Sequence, residues 1–279
     1  MATLDDYRAR EHWSFSALNQ FLNICSLQFY FDRIAKLPKT FTPVSLSFGS
    51  AFHRVCEWIS LTRKEGNLPK RADAMDLFGT LWDRQVGEDK AIRFDEEQDQ
   101  DSCSKQGRDM VGCLVDGLDP EERVLAVNEA FAVPLVDAWG QVLETPMIGE
   151  IDLVVEQGGR KALVDWKTAA KRWSKGKAAL DLQPTVFLYG YRQLHGEIPG
   201  FRFDVLVKNK TPVLERHETE RTVDQFCRMV ELVKLVERSI ESEIFLPSEQ
   251  GFYCGGCPHQ EACRAWHRKA GRVNVRMAA

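Results

Sequence analysis

The sequence has 279 residues, of which 44% are hydrophobic, and a formal net charge of -4 at pH 7. This length and apolar content can build one large domain with a hydrophobic core. The chain lacks any apolar run of about eighteen residues and has a charged N-terminal segment, so we expect a cytoplasmic protein with no membrane contact and no signal peptide. The acidic total argues against a wholly basic nucleic-acid binder but permits a local basic groove.

The first predicted helix spans about residues 14–36. Ser14 or Ser16 can cap it, and apolar residues recur along it at helical intervals. Cys25 falls on that apolar stripe, where a free cysteine is most often a core residue.

A second helix is predicted after a proline-containing linker at 38–43, from the run FGSAFHRVCEWISL. Gly49 would lie at its entrance and His53 in its first turns. The stretch 70–118 also has a helical pattern and is acidic, and we expect a helical insert at about 65–120.

Two strands rich in Ile, Leu and Val are predicted at 147–156 and 160–167, separated by a Gly-Gly pair. Two glycines favour the positive φ angles of a two-residue hairpin turn. In such a hairpin the paired positions have a constant sum, so Asp152 falls opposite Asp165. A strand before this hairpin, within 123–136, carries Glu129.

The opposed carboxylates indicate a metal site, because like charges facing each other across two strands repel. A hard divalent cation such as Mg2+ or Mn2+, bound by carboxylate oxygens, would offset the repulsion. Lys167 and Glu150 project on the same face, and a lysine beside a metal can hold water and stabilise charge on a phosphate. Alternatively, Asp152, Asp165 and Lys167 are only the polar face of a half-solvated hairpin.

A basic segment surrounds the second carboxylate: residues 160–177 contain seven Lys or Arg and one acid, Asp165. Such a segment suits contact with a nucleic-acid backbone, although a solvated turn has the same composition.

The remaining predicted elements are a helix, a hairpin and a second helix. Residues 178–194 have a helical pattern that places Gln183, Phe187 and Tyr191 on one face. The later elements are a hairpin at 201–220 and an amphipathic helix at 223–243.

Eight cysteines without an export signal suggest free thiols or metal ligands more than disulfides. Cys254, Cys257 and Cys263 form a Cys-x2-Cys-x5-Cys set, which is one ligand short of a tetrahedral zinc or a cubane iron-sulfur cluster. Zinc could take His259 or His267 as a local fourth ligand.

Several of these motifs carry a family resemblance. The order Gly-x-x-Asp at 149–152, twelve residues, and Asp-x-Lys at 165–167 resembles the active-site hairpin of the PD-(D/E)XK nuclease superfamily. The first helix is similar to the opening helix of RecB-like nucleases at five positions: Ser14, Leu18, Phe21, Cys25 and Tyr30. Ser26 stands where a proline often follows that cysteine. The Gly49-x-x-x-His53 and Gln183-x-x-x-Tyr motifs also match, except that Phe187 replaces the tyrosine.

The resemblance implies an α/β fold with a restriction-endonuclease-like core, in which a central mixed sheet is flanked by helices. Residues 1–279 would form a single RecB-like nuclease domain. As in CRISPR-adaptation-type relatives, Cys25 would join the three C-terminal cysteines in holding a 4Fe-4S cluster, with zinc as the alternative. The cluster would form a cap at about 245–270 that ties the N- and C-terminal segments together.

The activity implied by the resemblance is that of a Mg2+- or Mn2+-dependent DNA nuclease, most simply an exonuclease acting on single strands or duplex ends. The catalytic residues would be Asp152, Asp165 and Lys167. The metal ligands would be His53, Asp152, Asp165 and the Trp166 backbone carbonyl, supported by Glu129. The DNA contacts would come from Gln183, Lys171, Arg172 and Tyr191.

Two other functions remain open at this point. The protein could be an end-processing subunit of a recombination, repair or CRISPR-adaptation complex that works with a helicase or another protein partner. It could also be a non-catalytic DNA-binding scaffold with a purely structural cysteine site. A scaffold, however, has no reason to keep a repulsive carboxylate pair.

Overall fold

The structure is a computed structural model that describes residues 3–96, 98–248 and 251–277, with residue 252 and residues 269–277 described by their backbone alone. Its helices are α1 (Leu4–Arg8), α2 (Phe15–Asn19), α3 (Ser26–Phe29), α4 (Val44–Lys64), α5 (Arg71–Glu88), α6 (Gln100–Asp116), α7 (Lys177–Leu180), α8 (Gln183–His195), α9 (Val223–Glu241) and α10 (Gln260–Met277). Its strands are β1 (Trp13–Ser14), β2 (Thr42–Pro43), β3 (Ile92–Arg93), β4 (Arg123–Val133), β5 (Met147–Gln157), β6 (Arg160–Ala169), β7 (Gly200–Val207) and β8 (Val213–Thr219).

One mixed sheet organises the fold, with strand order β1-β5-β6-β7-β8 and β4 paired to β5. The β1–β5 and β6–β7 pairs are parallel, and the others are antiparallel. The predicted α/β fold with a central mixed sheet flanked by helices is therefore confirmed.

The hydrophobic core lies in two clusters, one on each side of the sheet. One cluster joins the sheet to α4, α5 and α6, with Phe52, Phe78 and Met110 fully buried in it. The other joins the sheet to α2, α8 and α9 and contains Leu18 and Phe226. Because both faces are covered, the functional groups of the central strands can meet solvent only where neighbouring strands separate. Among the described residues, no helix is long and apolar enough to cross a membrane.

The predicted hairpin is present with the predicted register. Gly158 and Gly159 have φ angles of 57° and 75°, and β5 pairs with β6 from Gln157↔Arg160 to Leu153↔Val164. The left-handed backbone at both turn residues matches the right-handed twist of the strands, which explains why two glycines specify this connection.

The single helix predicted over residues 14–36 is wrong, because the chain is interrupted at Cys25. This residue is extended, with φ -169° and ψ 118°, between a π-helical turn at Gln20–Ile24 and α3. Its Sγ accepts a hydrogen bond from the Gln28 N–H at 3.4 Å, so the cysteine caps a helix instead of lying within one.

Two other helix boundaries differ from the predictions. Helix α4 begins at Val44, so Gly49 lies inside it and not at its entrance. The helix predicted over 178–194 is divided into α7 and α8, and Pro184 lies in the first turn of α8. Proline is tolerated in a first turn but breaks a helix interior, which accounts for the division.

Candidate active site

The candidate site lies where β5 loses its partner strand. Its ladder with β6 reaches Leu153, and β1 pairs with Met147 and Ile148 farther along. Within the described residues, the segment 149–152 therefore has no ladder partner on that edge. Asp152 is the first residue of this opening, and Asp165 lies across from it at the next position of the register.

Asp152 is held between helix α4 and the backbone of β6. Its Oδ2 lies 3.3 Å from Nδ1 of His53 and accepts a hydrogen bond of 3.3 Å from the Trp166 N–H. The Trp166 and His53 rings are nearly perpendicular, with a centroid distance of 5.9 Å. These contacts fix both the carboxylate and the imidazole at the opening.

Asp165 is buried, and its carboxylate contacts two side chains. Lys167 Nζ lies 2.6 Å from Oδ2, and the amide nitrogen of Gln183 donates a hydrogen bond to Oδ1. Gln183 is the first residue of α8 and is 4% exposed. Its own Oε1 is buried without a hydrogen-bond partner among the described residues. The amide therefore has its donor side fixed on Asp165 and its acceptor side unused.

The electrostatics of the group indicate uncompensated negative charge. Burial raises the pKa of Asp152 well above its usual range, and the neighbouring Asp165 carboxylate adds to the shift. Burial opposes the charged form of Lys167, but the two carboxylates outweigh it and the pKa of Lys167 is raised. Burial also lowers the pKa of His53, which favours the neutral imidazole. A cation bound at Asp152 would relieve its repulsion from Asp165.

The donor atoms present fit a hard divalent cation. Carboxylate oxygens suit Mg2+ and Mn2+, and a neutral imidazole is an accepted additional ligand. Among the described residues, no three His, Cys, Asp or Glu side chains form a complete metal-binding group. His53, Asp152 and Asp165 nevertheless lie together, as His53 contacts Asp152 and the charge of Asp165 acts on both.

The comparisons with known proteins bear on this arrangement. The profile of the PD-(D/E)XK nuclease superfamily matches residues 12–264, which is most of the chain. The chain belongs to this superfamily. A comparison with curated protein sequences found no match.

Two solved structures resemble this PD-(D/E)XK protein. A crystal structure from Eubacterium rectale, named "putative exonuclease", has 14% identity, a TM-score of 0.55, and coverage of 92% of this chain and 93% of that chain. The structure of SSO0001 has 10% identity and a TM-score of 0.43, and covers 94% of this chain and 92% of that chain. At such identity the first likeness shows the fold alone.

Several predicted site residues of the PD-(D/E)XK domain lie away from the carboxylates. Glu129 Oε1 contacts Nε2 of His195 on α8 at 2.9 Å, so the structure does not bring this carboxylate to the Asp152 group. Tyr191 is buried on α8, and its hydroxyl donates a 3.4 Å hydrogen bond to Glu197. The predicted DNA contact of Tyr191 would require that buried ring to become accessible.

The remaining predicted DNA contacts divide between surface and interior. Lys171 is exposed, and the largely exposed Arg172 forms an ion pair of 2.9 Å with Glu215. Gln183, by contrast, lies in the interior against Asp165. Its position favours orientation of the Asp165 carboxylate over contact with a DNA strand.

The four cysteines of the predicted cluster line one cavity of about 410 Å³. Its lining includes Cys25, Cys254, Cys257 and Cys263, together with His267. Burial raises the pKa of Cys257, and the nearby Cys25 and Cys254 contribute to the shift. The cavity therefore brings the first part of the chain to its C-terminal part.

His259, one of the two local zinc ligands considered above, has another partner. It is 2% exposed, and its Nε2 lies 2.8 Å from Oδ1 of Asp32. The adjacent Pro258 carbonyl accepts a hydrogen bond of 2.8 Å from the Thr40 hydroxyl. These contacts attach the C-terminal segment to the N-terminal one independently of the thiols.

The sequence motifs do not single out Asn128. It has a left-handed φ of 52° and lies between the pairs Val127↔Leu153 and Glu129↔Ile151, opposite Asp152. Leu153 packs with the α4 cluster, whereas Ile151 packs with the other cluster. Residues two positions apart on a regular strand face the same side of the sheet. The alternation of side chains along the strand is therefore interrupted between Ile151 and Leu153. Asparagine tolerates the left-handed region better than other non-glycine residues, which is the signal that could have drawn attention to it.

We expect Asn128→Val to lower the free energy of unfolding by about 1–3 kcal/mol, because a β-branched residue is strained at positive φ. Asn128→Gly should remain within about 1 kcal/mol of the unmodified protein, since glycine adopts this conformation freely. Urea unfolding followed by circular dichroism measures both values. Equal stability of the two variants would show that the strand can relax at this position.

Proposed function

We propose that this nuclease-superfamily protein is a metal-dependent exonuclease that hydrolyses phosphodiester bonds of single-stranded DNA or duplex ends. The observation that carries the proposal is the meeting of His53, Asp152, Asp165 and Lys167 at the opening between β5 and β6. The name of the Eubacterium rectale protein with a similar fold points in the same direction.

The metal ligands that we propose are His53, the carboxylates of Asp152 and Asp165, and the Trp166 backbone carbonyl. A Mg2+ or Mn2+ ion bound there would polarise a phosphate oxygen and lower the pKa of a water molecule. The Trp166 N–H and Gln183 amide orient one carboxylate each, so the two remain aimed at the opening. Such supporting contacts set ligand geometry and are part of a working metal site.

Lys167 would supply positive charge at the scissile phosphate. Its side chain is partly exposed, and its Nζ lies beside Asp165, where it can donate hydrogen bonds to an attacking water and to a phosphate oxygen. The water oxygen forms a bond to phosphorus, the bond from phosphorus to the leaving oxygen breaks, and a proton moves to that leaving oxygen. The products are one phosphate-terminated end and one free hydroxyl.

We also propose the RecB-like subtype with a 4Fe-4S cluster on Cys25, Cys254, Cys257 and Cys263. The common cavity of these four side chains supports a shared centre, because residues separated by more than two hundred positions line it. Four thiolates are the usual ligand set of such a cluster. The cluster would hold the C-terminal segment over the nuclease core, with no redox step in the reaction.

The deciding experiment is cleavage of end-labelled DNA, both single-stranded and duplex and both linear and circular, by anaerobically purified protein with Mg2+ or Mn2+. An exonuclease degrades linear but not circular substrates, and the position of the label gives its polarity. Cleavage of circles would indicate an endonuclease. Metal binding without any cleavage would instead favour a subunit that processes ends only with a helicase or another protein partner.

Lys167→Ala should reduce cleavage by about 10²–10³-fold while the protein stays folded, because a charge aimed at the reacting phosphate is removed. Lys161→Ala is the matched control, since Lys161 lies on the same strand, paired with Glu197 at 2.6 Å. Its cleavage rate should match that of the unmodified protein. Full turnover by Lys167→Ala would contradict the role given to this lysine.

A further inference from the structure

A second cavity, of about 490 Å³, lies beside the candidate active site. Its walls come from the start of α4, the ends of β6 and β7 and the segment between α5 and α6. The last wall is the cysteine-bearing segment, residues 253–263, which contains Cys254, Cys257 and Cys263. Its lining includes Ser45, Phe48, Arg93, Thr168, Lys208 and Tyr253. Its volume lies within the range of small-molecule and cofactor sites, roughly 300–1,000 Å³.

Lys208 is the main charged group of this cavity. It follows the last residue of β7, and its backbone N–H donates a 2.8 Å hydrogen bond to the Ala169 carbonyl. Its Nζ lies 3.9 Å from the centre of the Phe48 ring. Among the described residues, no carboxylate lies within ion-pair distance of this ammonium, and burial lowers its pKa. Asp95 also lines the cavity and acts on Lys208 only from a distance.

A half-buried cation without an ion-pair partner favours an anionic ligand, because a bound anion would offset its desolvation. Arg93 adds a second positive charge to the lining, and its guanidinium lies over the Phe41 ring at 3.4 Å. The cavity thus presents two cations beside the exposed aromatic side chain of Tyr253. Positive charge next to an aromatic surface is the common pattern of single-strand nucleic-acid sites.

The cavity and the candidate active site share two structural elements, helix α4 and strand β6. Helix α4 contributes Phe48 to the cavity and His53 to the candidate active site, five residues or about 7.5 Å farther along the helix axis. Strand β6 contributes Thr168, which directly follows Lys167 and, as the next residue of a strand, faces the other side of the sheet. A DNA strand with its scissile phosphate at Lys167 would pass over the neighbouring ends of β6 and β7 and so bring a phosphate a few nucleotides away to Lys208.

From this geometry we infer that the cavity binds a nucleotide of the substrate strand next to the scissile bond, with its phosphate on Lys208. The inference rests on the proposed nuclease function and adds a strand-binding site to it. It also gives the cysteine-bearing segment a part in substrate binding, because Tyr253 and Gly256 form one wall.

The test measures the affinity of fluorescently labelled single-stranded DNA as a function of salt, by anisotropy, on protein carrying Asp165→Asn so that the DNA stays intact. Loss of one phosphate contact on a single strand lowers the slope of log affinity against log salt by about 0.7. We expect this decrease for Lys208→Met, which keeps the aliphatic stem over Phe48. Lys208→Arg should restore the slope.

Lys210→Met is the matched control, because Lys210 is exposed in the same β7–β8 connection but does not line the cavity. It should leave the slope unchanged. An unchanged slope for Lys208→Met would overturn the strand site, and it would leave the nuclease proposal intact if the protein with Asp165 in place binds and cleaves DNA. A free nucleotide that displaces the labelled DNA equally well from Lys208→Met and from the unmodified protein would also count against the site. If the unmodified protein neither binds nor cleaves DNA, the nuclease proposal fails, and this inference fails with it.

Discussion

A protein carrying Asp152→Asn should lose DNA cleavage by about 10³-fold or more and yet, without divalent ions, unfold at a higher temperature than the unmodified chain. The loss follows from removing one of two carboxylates that would bind the metal. The higher unfolding temperature follows from the electrostatics of the site, where burial and the Asp165 charge raise the pKa of Asp152. A neutral amide of the same shape removes that repulsion.

The pH dependence of stability has a definite sign here. The folded protein holds a proton on Asp152 at a pH where the unfolded chain has released it, so ionisation of this group costs stability as pH rises above its unfolded pKa. The difference in melting temperature between Asp152→Asn and the metal-free unmodified protein should therefore grow from acidic to neutral pH. Thermal unfolding in the presence of a chelator at several pH values measures it.

With added Mn2+, the unmodified protein should have a higher melting temperature than Asp152→Asn. An ion that binds only the folded state stabilises it according to its concentration and affinity, and the variant lacks a ligand. Glu150→Gln is the control, because Glu150 lies two residues away on the same strand and burial also raises its pKa. This control should keep cleavage and the Mn2+ response. A melting temperature for Asp152→Asn below that of the metal-free unmodified protein would contradict the charge argument.

The β5–β6 hairpin could be predicted because its determinants are local. Two adjacent glycines specify the turn, the turn sets the register, and the register places Asp152 near Asp165 without knowledge of the rest of the fold. The mixed sheet likewise follows from strand and helix patterns that are strong along the chain. Apolar periodicity locates such elements well because burial of one face is what stabilises them.

Other features could not be predicted, because tertiary contacts decide the local conformation there. Strand alternation alone cannot locate Glu129 relative to Asp152, because the left-handed residue at Asn128 accompanies a change of facing. Helical periodicity continues through Cys25, although the chain there is extended and its thiol caps α3. The contact of Gln183 with Asp165 depends on the entry of α8 beside β6. Each of these features requires the packed structure.

Cys25→Ser should remove the visible absorbance of anaerobically purified protein and lower its free energy of unfolding by about 5 kcal/mol. A cluster that joins Cys25 to Cys254, Cys257 and Cys263 closes a loop of more than two hundred residues, and a crosslink of that span stabilises by roughly this amount. Serine is the informative replacement because its hydroxyl can still cap α3 at the Gln28 N–H. The loss would then report on the cluster and not on the helix cap.

Cys113→Ser provides the comparison, because that thiol is half-buried, donates a hydrogen bond to the Pro212 carbonyl and lies outside the cysteine cavity. It should keep the colour, and any loss of stability should be that of one hydrogen bond, about 1 kcal/mol. A colourless unmodified protein containing one zinc ion would favour a zinc site with His267, which lines the same cavity. If Cys25→Ser kept both colour and stability, Cys25 would not be a ligand. The attachment of the C-terminal segment would then rest on contacts such as His259 with Asp32 and Thr40 with Pro258, which exist without any metal.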